Sequence, residues 1–305
     1  MIPDYQTLML PLLKLLSDGK EHKYRDIIER LSFDFKLTEE EKNLFLTSGK
    51  QPVFDNRVGW AKMYLKKAGL VDSPKRATFI ITERGKQTLA KKISSIDNKY
   101  LRQFPEFIEF LNFSRNDNDF DNELIDVKEN ENTPEENIDQ AFQKIKKSLA
   151  SDLLSKIFEL SPAFFEKLVV ELLVKMGYGG SISDAGKALG KSGDEGVDGI
   201  IKEDKLGLDI IYIQAKRWKN GNVVGRPEIQ KFVGALAGQG AKKGIFITTS
   251  TFTKEALEYT PKNETKIVLI DGSQLAQLMI DYNLGCATHQ IYELKKLDSD
   301  YFGEE

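Results

Sequence analysis

Between Gly193 and Trp218 the sequence GDEGVDGIIKEDKLGLDIIYIQAKRW contains three side chains suited to metal-assisted phosphodiester hydrolysis. Asp198 offers an anionic oxygen, the Gln214 amide a neutral one, and Lys216 a fixed cation. Mg²⁺ takes oxygen ligands, keeps several waters, and commonly binds one or two carboxylates plus a substrate phosphate. The expected metal ligands are therefore Asp198, Gln214 and the main-chain carbonyl of Ala215. A metal so held polarises the scissile phosphate and lowers the pKa of a bound water. Lys216 would orient that water or stabilise charge developing on the phosphate. Glu166, in a helix upstream, is the candidate for a supporting carboxylate or a second-metal ligand. Each residue also has an ordinary reading. Lys216 could end a strand at the surface, Gln214 could satisfy nearby backbone, Asp198 before Gly199 could be turn chemistry, and Glu166 could be solvated. Asp194 and Glu195 stand in the adjacent loop and could help bind metal. Gln239, Thr248, Thr249 and Ser250 stand at element ends, where they could touch phosphate or cap a helix.

The flanking residues dictate elements that would position this set. DIIYIQAKRW alternates as a strand does, and a shorter strand carries Asp198 after a glycine-rich turn. A turn near Lys205 to Leu208 makes the two a hairpin, with Gln214 and Lys216 on one face and Ile213 and Ala215 on the other. Upstream, Ser161 as N-cap, Pro162 at the first helical position and Gly177 at the end bound a helix. Its buried stripe is Phe165, Leu168, Val169, Leu172 and Leu173. Before it, Ile138, Phe142, Ile145 and Leu149 recur at helical spacing and are expected to face inward. Downstream come the helix PEIQKFVGALAGQG, the strand GIFITTS, a short helix from about Thr253, the strand KIVLID and the helix SQLAQLMI. Strands alternating with helices predict an α/β domain over 141–305, with a mixed central sheet flanked by helices.

Residues 1–95 read differently. Helices over DYQTLMLPLLKLL, YRDIIERL and about Thr38 to Leu46 precede NRVGWAKMYLKKAGLV from Asn56. Then follow the turn SPKRA, the strand TFIIT and the helix ERGKQTLAKKI. Helices followed by a hairpin with a basic tip predict a winged helix-turn-helix. The helix from Asn56 would then enter a major groove, offering Arg57, Lys62 and Lys66, while Lys75 and Arg76 at the wing meet phosphates. The alternative is an ordinary solvated face, or a winged helix that binds protein.

Charge is distributed unevenly along the chain. Residues 1–92 hold 18 Lys and Arg against 12 Asp and Glu, residues 93–140 hold 4 against 13, and the remainder 22 against 22. The basic excess suits DNA, and the acidic stretch 96–140 reads as a linker, mobile or poorly ordered, whose FPEFIEFLNF could dock on a neighbouring domain. A single cysteine, Cys286, and two histidines, His22 and His289, exclude a disulfide framework and a zinc-finger ligand set. No apolar run approaches a membrane span and the start lacks a secretory pattern, so a cytoplasmic protein is expected.

The order helix with Glu166, then GDEGVDG, then QAK resembles the PD-(D/E)xK nuclease superfamily. Gln214 departs from its usual Asp or Glu but looks like the Mrr-like branch, which often has D…QxK. YIQAKRW, VGRPEIQKFVGALAG, KKGIFITTS with FTKEA, and LIDGSQLAQLMI extend the likeness over nearly the whole chain apart from the linker. The resemblance implies Mg²⁺-dependent cleavage of methylated double-stranded DNA, with Asp198, Gln214, Lys216 and, less tightly, Glu166 as the site. It also implies a homo-oligomer, since cutting both strands generally needs two active sites. The alternatives are a DNA-binding regulator without catalysis, and a repair or junction nuclease with the same motif.

Overall fold

The computed structural model describes residues 1–113, 132–179, 197–204, 207–218, 222–259, 265–295, 297 and 301. The loop residues Asp194 and Glu195 lie outside these. The chain divides into two units, Met1–Gln143 and Lys144–Lys295.

In the first unit, Asp4 caps α1 (Tyr5–Leu15) by accepting from the amides of Gln6 and Thr7 at 2.8 and 3.0 Å. α2 (Tyr24–Asp34), the single turn α3 (Glu39–Lys42) and α4 (Val53–Lys67) follow. α4 sends Phe54, Val58, Ala61 and Leu65 inward at helical spacing, against Leu8, Leu12 and Leu13 of the fully buried α1 stripe. β1 (His22–Lys23), β2 (Val71–Asp72) and β3 (Thr78–Ile81) pair antiparallel in the order β1-β3-β2, and α5 (Glu83–Ala90) follows. This helix and hairpin order is the one expected of a winged helix-turn-helix.

Two features depart from the expected linker over 96–140. α6 (Asn98–Leu101) and α7 (Pro105–Phe113) are helical, and Ile96, Leu101 and Phe107 are buried in the same core as α1 and α4. The run FPEFIEFLNF folds because its apolar side chains have the α4 aromatics to cover them: Phe107 lies 5.4 Å from Tyr64, edge to face. Further along, Thr133 and Glu136 form reciprocal hydrogen bonds of 2.8 and 3.3 Å that open α8 (Pro134–Glu159).

That helix start also overturns one expected role. Arg57 does not face solvent from α4. Its Nε and Nη2 donate to Glu136 Oε1 at 3.0 and 2.7 Å, and its Nη1 donates to the carbonyls of Ile2 and Pro3. The two side chains are only 16% and 9% exposed. A guanidinium so fully satisfied is a structural cross-link, not a free DNA contact.

The second unit is built on a mixed sheet of order β4-β5-β6-β7. β4 (Gly199–Lys202) runs antiparallel to β5 (Ile210–Lys216), while β6 (Lys243–Thr248) and β7 (Lys266–Ile270) run parallel to it. Ile201, Ile211, Ile213, Ala215, Ile245 and Ile247 share one core with α8, α9 (Pro162–Lys175) and α12 (Gly272–Asp281). On the other face Phe246 packs with Ile229, Phe232 and Leu236 of α10 (Arg226–Gly238) and Ala256 of the short α11 (Lys254–Leu257). The α9 stripe is buried as expected, but Ile138, Phe142 and Ile145 of α8 are 49%, 55% and 68% exposed. Helical spacing identified an apolar face of α8 without supplying a neighbour to cover it.

α10 approaches the sheet closely because Gly244, the second residue of β6, has no side chain. A Cβ on Gly244 would lie 2.7 Å from Leu236 and 2.9 Å from Phe232. Gly244→Ala is expected to lower the unfolding free energy by about 1–3 kcal/mol through overpacking, read by urea denaturation. Glu136→Ala leaves Arg57 buried without its counter-charge and should cost about 3 kcal/mol, whereas the Arg57→Met, Glu136→Leu double variant should lose far less.

Candidate active site

Asp198 stands one residue before β4, and its backbone N–H donates to the Ile213 carbonyl at 2.9 Å, continuing the antiparallel ladder past Gly199 and Ile213. The register therefore sets Asp198 beside Gln214. One carboxylate oxygen of Asp198 accepts from the Gln214 side-chain amide and, at 2.8 Å, from the Ala215 N–H. Gln214 is only 3% exposed, so its amide is a buried polar group that this bond satisfies. In this arrangement Gln214 and Ala215 hold Asp198 through N–H donors, leaving the carboxylate's second oxygen for another partner.

Glu166, half-buried on α9, belongs to the same electrostatic neighbourhood. Burial pushes its carboxyl above the usual carboxylate range, the Asp198 charge pushes it further, and Lys216 pulls it back. Glu166, Asp198 and Lys216 thus act on one another across the end of the sheet. Lys216 ends β5 on the same face as Gln214, and both line a cleft of about 480 Å³ with Glu228, Lys231, Phe232 and Phe246. Arg217 Nη1 donates to the Phe158 carbonyl at 2.8 Å, fixing the strand end to α8.

Thr248, Thr249 and Ser250 are 0%, 3% and 3% exposed and neither face phosphate nor cap a helix. Their hydroxyls donate to the carbonyls of Lys216, Trp218 and Asn222 at 2.9, 2.8 and 2.5 Å. They lace the chain leaving β5 to the end of β6. Gln239 is the exposed C-cap residue of α10.

Among the described residues, no group of three or more His, Cys, Asp or Glu side chains gathers closely enough to form a metal cage. Gln214 and Ala215, expected with their oxygens as ligands, are turned as N–H donors to Asp198, whereas the Asp198 and Glu166 carboxylates are hard oxygen donors. That set fits a cation that keeps waters and borrows substrate oxygens better than one needing a full protein cage.

In the first unit, Lys66 is exposed on α4, while Lys62 is half-buried, its ammonium 4.5 Å from the ring centres of both Tyr24 and Phe79. Burial and then Lys66 push the Lys62 amine below its ordinary range. Lys75 and Arg76 are exposed in the turn between β2 and β3, Lys75 pairing with Glu21 at 3.2 Å. Lys66, Lys75 and Arg76 thus stand at the surface, and Lys62 is partly committed to the aromatic pair.

The sequence matches a known family. Residues 157–279 fit the model of a restriction endonuclease domain, and residues 5–91 fit the Mrr N-terminal domain. A type IV methyl-directed restriction enzyme, EcoKMrr of Escherichia coli (strain K12), is 37% identical over 307 aligned residues, covering 99% of this chain and 99% of that one. The chain belongs to the Mrr family of restriction endonucleases. Glu166, Asp198, Gln214 and Lys216 all fall inside the part that fits the family's restriction endonuclease domain. Two solved enzymes align over less of the chain. AspBHI, a DNA modification-dependent restriction endonuclease, is 16% identical with a TM-score of 0.36 over 45% of this chain and 35% of that one. MspJI, solved in complex with a 27-mer oligonucleotide, is 23% identical with a TM-score of 0.35 over 46% of this chain and 33% of that one. Likeness at these scores is too low to bear on the site.

Since the folded pKa of Glu166 is raised, the stability it confers is complete below its unfolded value of about 4.3 and is lost as pH rises through the folded value. Without divalent metal, Glu166→Gln should melt higher than the parent at pH 7. The gap should close as pH falls towards 4, as followed by calorimetry.

Proposed function

We propose that this chain is a methyl-directed endonuclease that hydrolyses phosphodiester bonds of double-stranded DNA with Mg²⁺, in which Asp198, Gln214, Lys216 and Glu166 form the active site. The observation that carries the reading is the Asp198 carboxylate, fixed by Gln214 and Ala215 of β5 and in electrostatic contact with Glu166, in a chain 37% identical to a methyl-directed relative over 99% of its length. Endonucleases of this family work with a divalent metal, and Asp198 with Glu166 would hold it here. When bound, it polarises the phosphate and acidifies a water. Gln214 and the Ala215 N–H keep the Asp198 carboxylate aimed, so that little side-chain freedom is lost as substrate binds. Lys216 supplies positive charge at the reacting phosphate, where Asp198 and Glu166 would otherwise repel an anion.

The winged-helix unit, 1–95 with the segments that follow it, is the DNA-recognising part. Lys66, Lys75 and Arg76 carry its backbone contacts, and Lys62 supports them from between two rings. Cutting both strands calls for two copies of the site, so the working form is a homo-oligomer acting on DNA in the cytoplasm. Among the described residues no helix is long and apolar enough to cross a membrane.

The deciding test is cleavage of methylated and unmethylated plasmid by the parent chain and Lys216→Ala, each with Mg²⁺ and with EDTA. Cutting should need Mg²⁺ and methylated plasmid, with Lys216→Ala slower than the parent by about 10²–10³-fold. DNA binding with no metal-dependent cutting by either would turn the reading towards a regulator that only docks on DNA. Equal cutting of unmethylated or branched DNA would point to a repair enzyme.

A further inference from the structure

The cleft beside Gln214 and Lys216 has a second wall that the proposed chemistry does not use. β5 and β6 are parallel, so α10, which connects them, starts at the end of β5 where Lys216 stands and runs back along the sheet. Phe232 anchors the helix, 1% exposed and 5.7 Å edge to face from Phe246, the β6 partner of Gln214. Glu228 lies one turn nearer the helix start on the same face, with Lys231 beside it, and both line the cleft with Lys216. Lys231 Nζ donates to Glu228 Oε1 at 2.7 Å. The lysine is 74% exposed and the glutamate 26%. An exposed pair on a helix surface is weak, so exchanging the carboxylate for a phosphate oxygen costs little.

Lys231 is the exposed cation of this second wall. We propose that it binds a non-bridging phosphate oxygen of the strand being cut, across the cleft from Lys216, and that Glu228 holds its ammonium at the cleft mouth until DNA arrives. The role rests on the reading of Lys216 as part of the active site. DNA enters a cleft that holds two ammonium groups, one at the reacting phosphate and one further along the backbone. A protein that neutralises one phosphate fewer releases fewer counterions, so the contact has a signature separate from cleavage.

Affinity for duplex DNA would be measured in EDTA across a salt series, and cleavage in Mg²⁺, for the parent, Lys231→Ala, Lys231→Arg, Glu228→Gln and Lys266→Ala. Lys266 is an exposed lysine at the start of β7, the opposite end of the parallel strands from Lys216. Lys231→Ala should make the slope of log K against log salt shallower by about 0.9 and raise KM more than it lowers kcat. Lys231→Arg should restore both, Glu228→Gln should keep the slope and tighten binding, and Lys266→Ala should match the parent. An unchanged slope in Lys231→Ala, or an equal loss in Lys266→Ala, overturns the proposal. Failure of the parent to cut, with the slope still falling for Lys231→Ala, would instead remove the catalytic reading while leaving the DNA contact.

Discussion

The candidate site depends on one register. Asp198 lies beside Gln214 because Gly199 pairs with Ile213, and the hydrogen bonds that hold the carboxylate come from the neighbouring strand's own backbone and side chain. Side chains alternate along a strand, so a slip of one residue would send Gln214 and Lys216 into the apolar core and Ile213 and Ala215 into the cleft. Burying Gln214 or Lys216 there without partners costs far more than any local gain, and this fixes the hairpin. Lys243 reinforces it from outside, pairing with Glu203 and, at 2.8 Å, with Asp209 just before β5.

Around this hairpin the two sheet faces do different work. One is closed by α8, α9 and α12 over isoleucines and leucines, and from it Glu166 reaches the polar end of the sheet. The other receives α10, whose close approach requires Gly244, and leaves a cleft at the end of the strands where Lys216 stands. Burial first and the Asp198 charge second oppose ionisation at Glu166, and Lys216 offsets part of that cost. Tension of this kind is unfavourable for folding and useful for binding a cation or a phosphate.

Sequence made the hairpin legible because its signals were local: alternation, a glycine-rich turn, and two polar residues spaced by two. The α/β order and the α9 caps were legible for the same reason. What escaped were pairings between residues far apart. Arg57 reads as an outward helix cation until Glu136, 79 positions later, closes on it. FPEFIEFLNF sits beside an acidic run whose composition masks it, yet Phe107 is fully buried. The exposed α8 stripe is the converse case, since periodicity reports that a face is apolar and says nothing of what covers it. Thr248, Thr249 and Ser250 carried no signal separating a phosphate contact from a tie to backbone carbonyls.

The link between Arg57 and Glu136 also decides how such a protein can be recombined. The core of the first unit draws on residues as late as Leu111 for apolar cover and on Thr133, Glu135 and Glu136 for polar cover of α4, where Trp60 Nε1 donates to Glu135 at 2.5 Å. A graft carrying only residues 1–95 to another nuclease would arrive with an open aromatic groove and an unpaired guanidinium. The smallest transferable form of this unit includes the start of α8. Crossover between relatives would therefore keep this unit whole at junctions inside that helix and break it at the acidic stretch, where composition alone would place the seam.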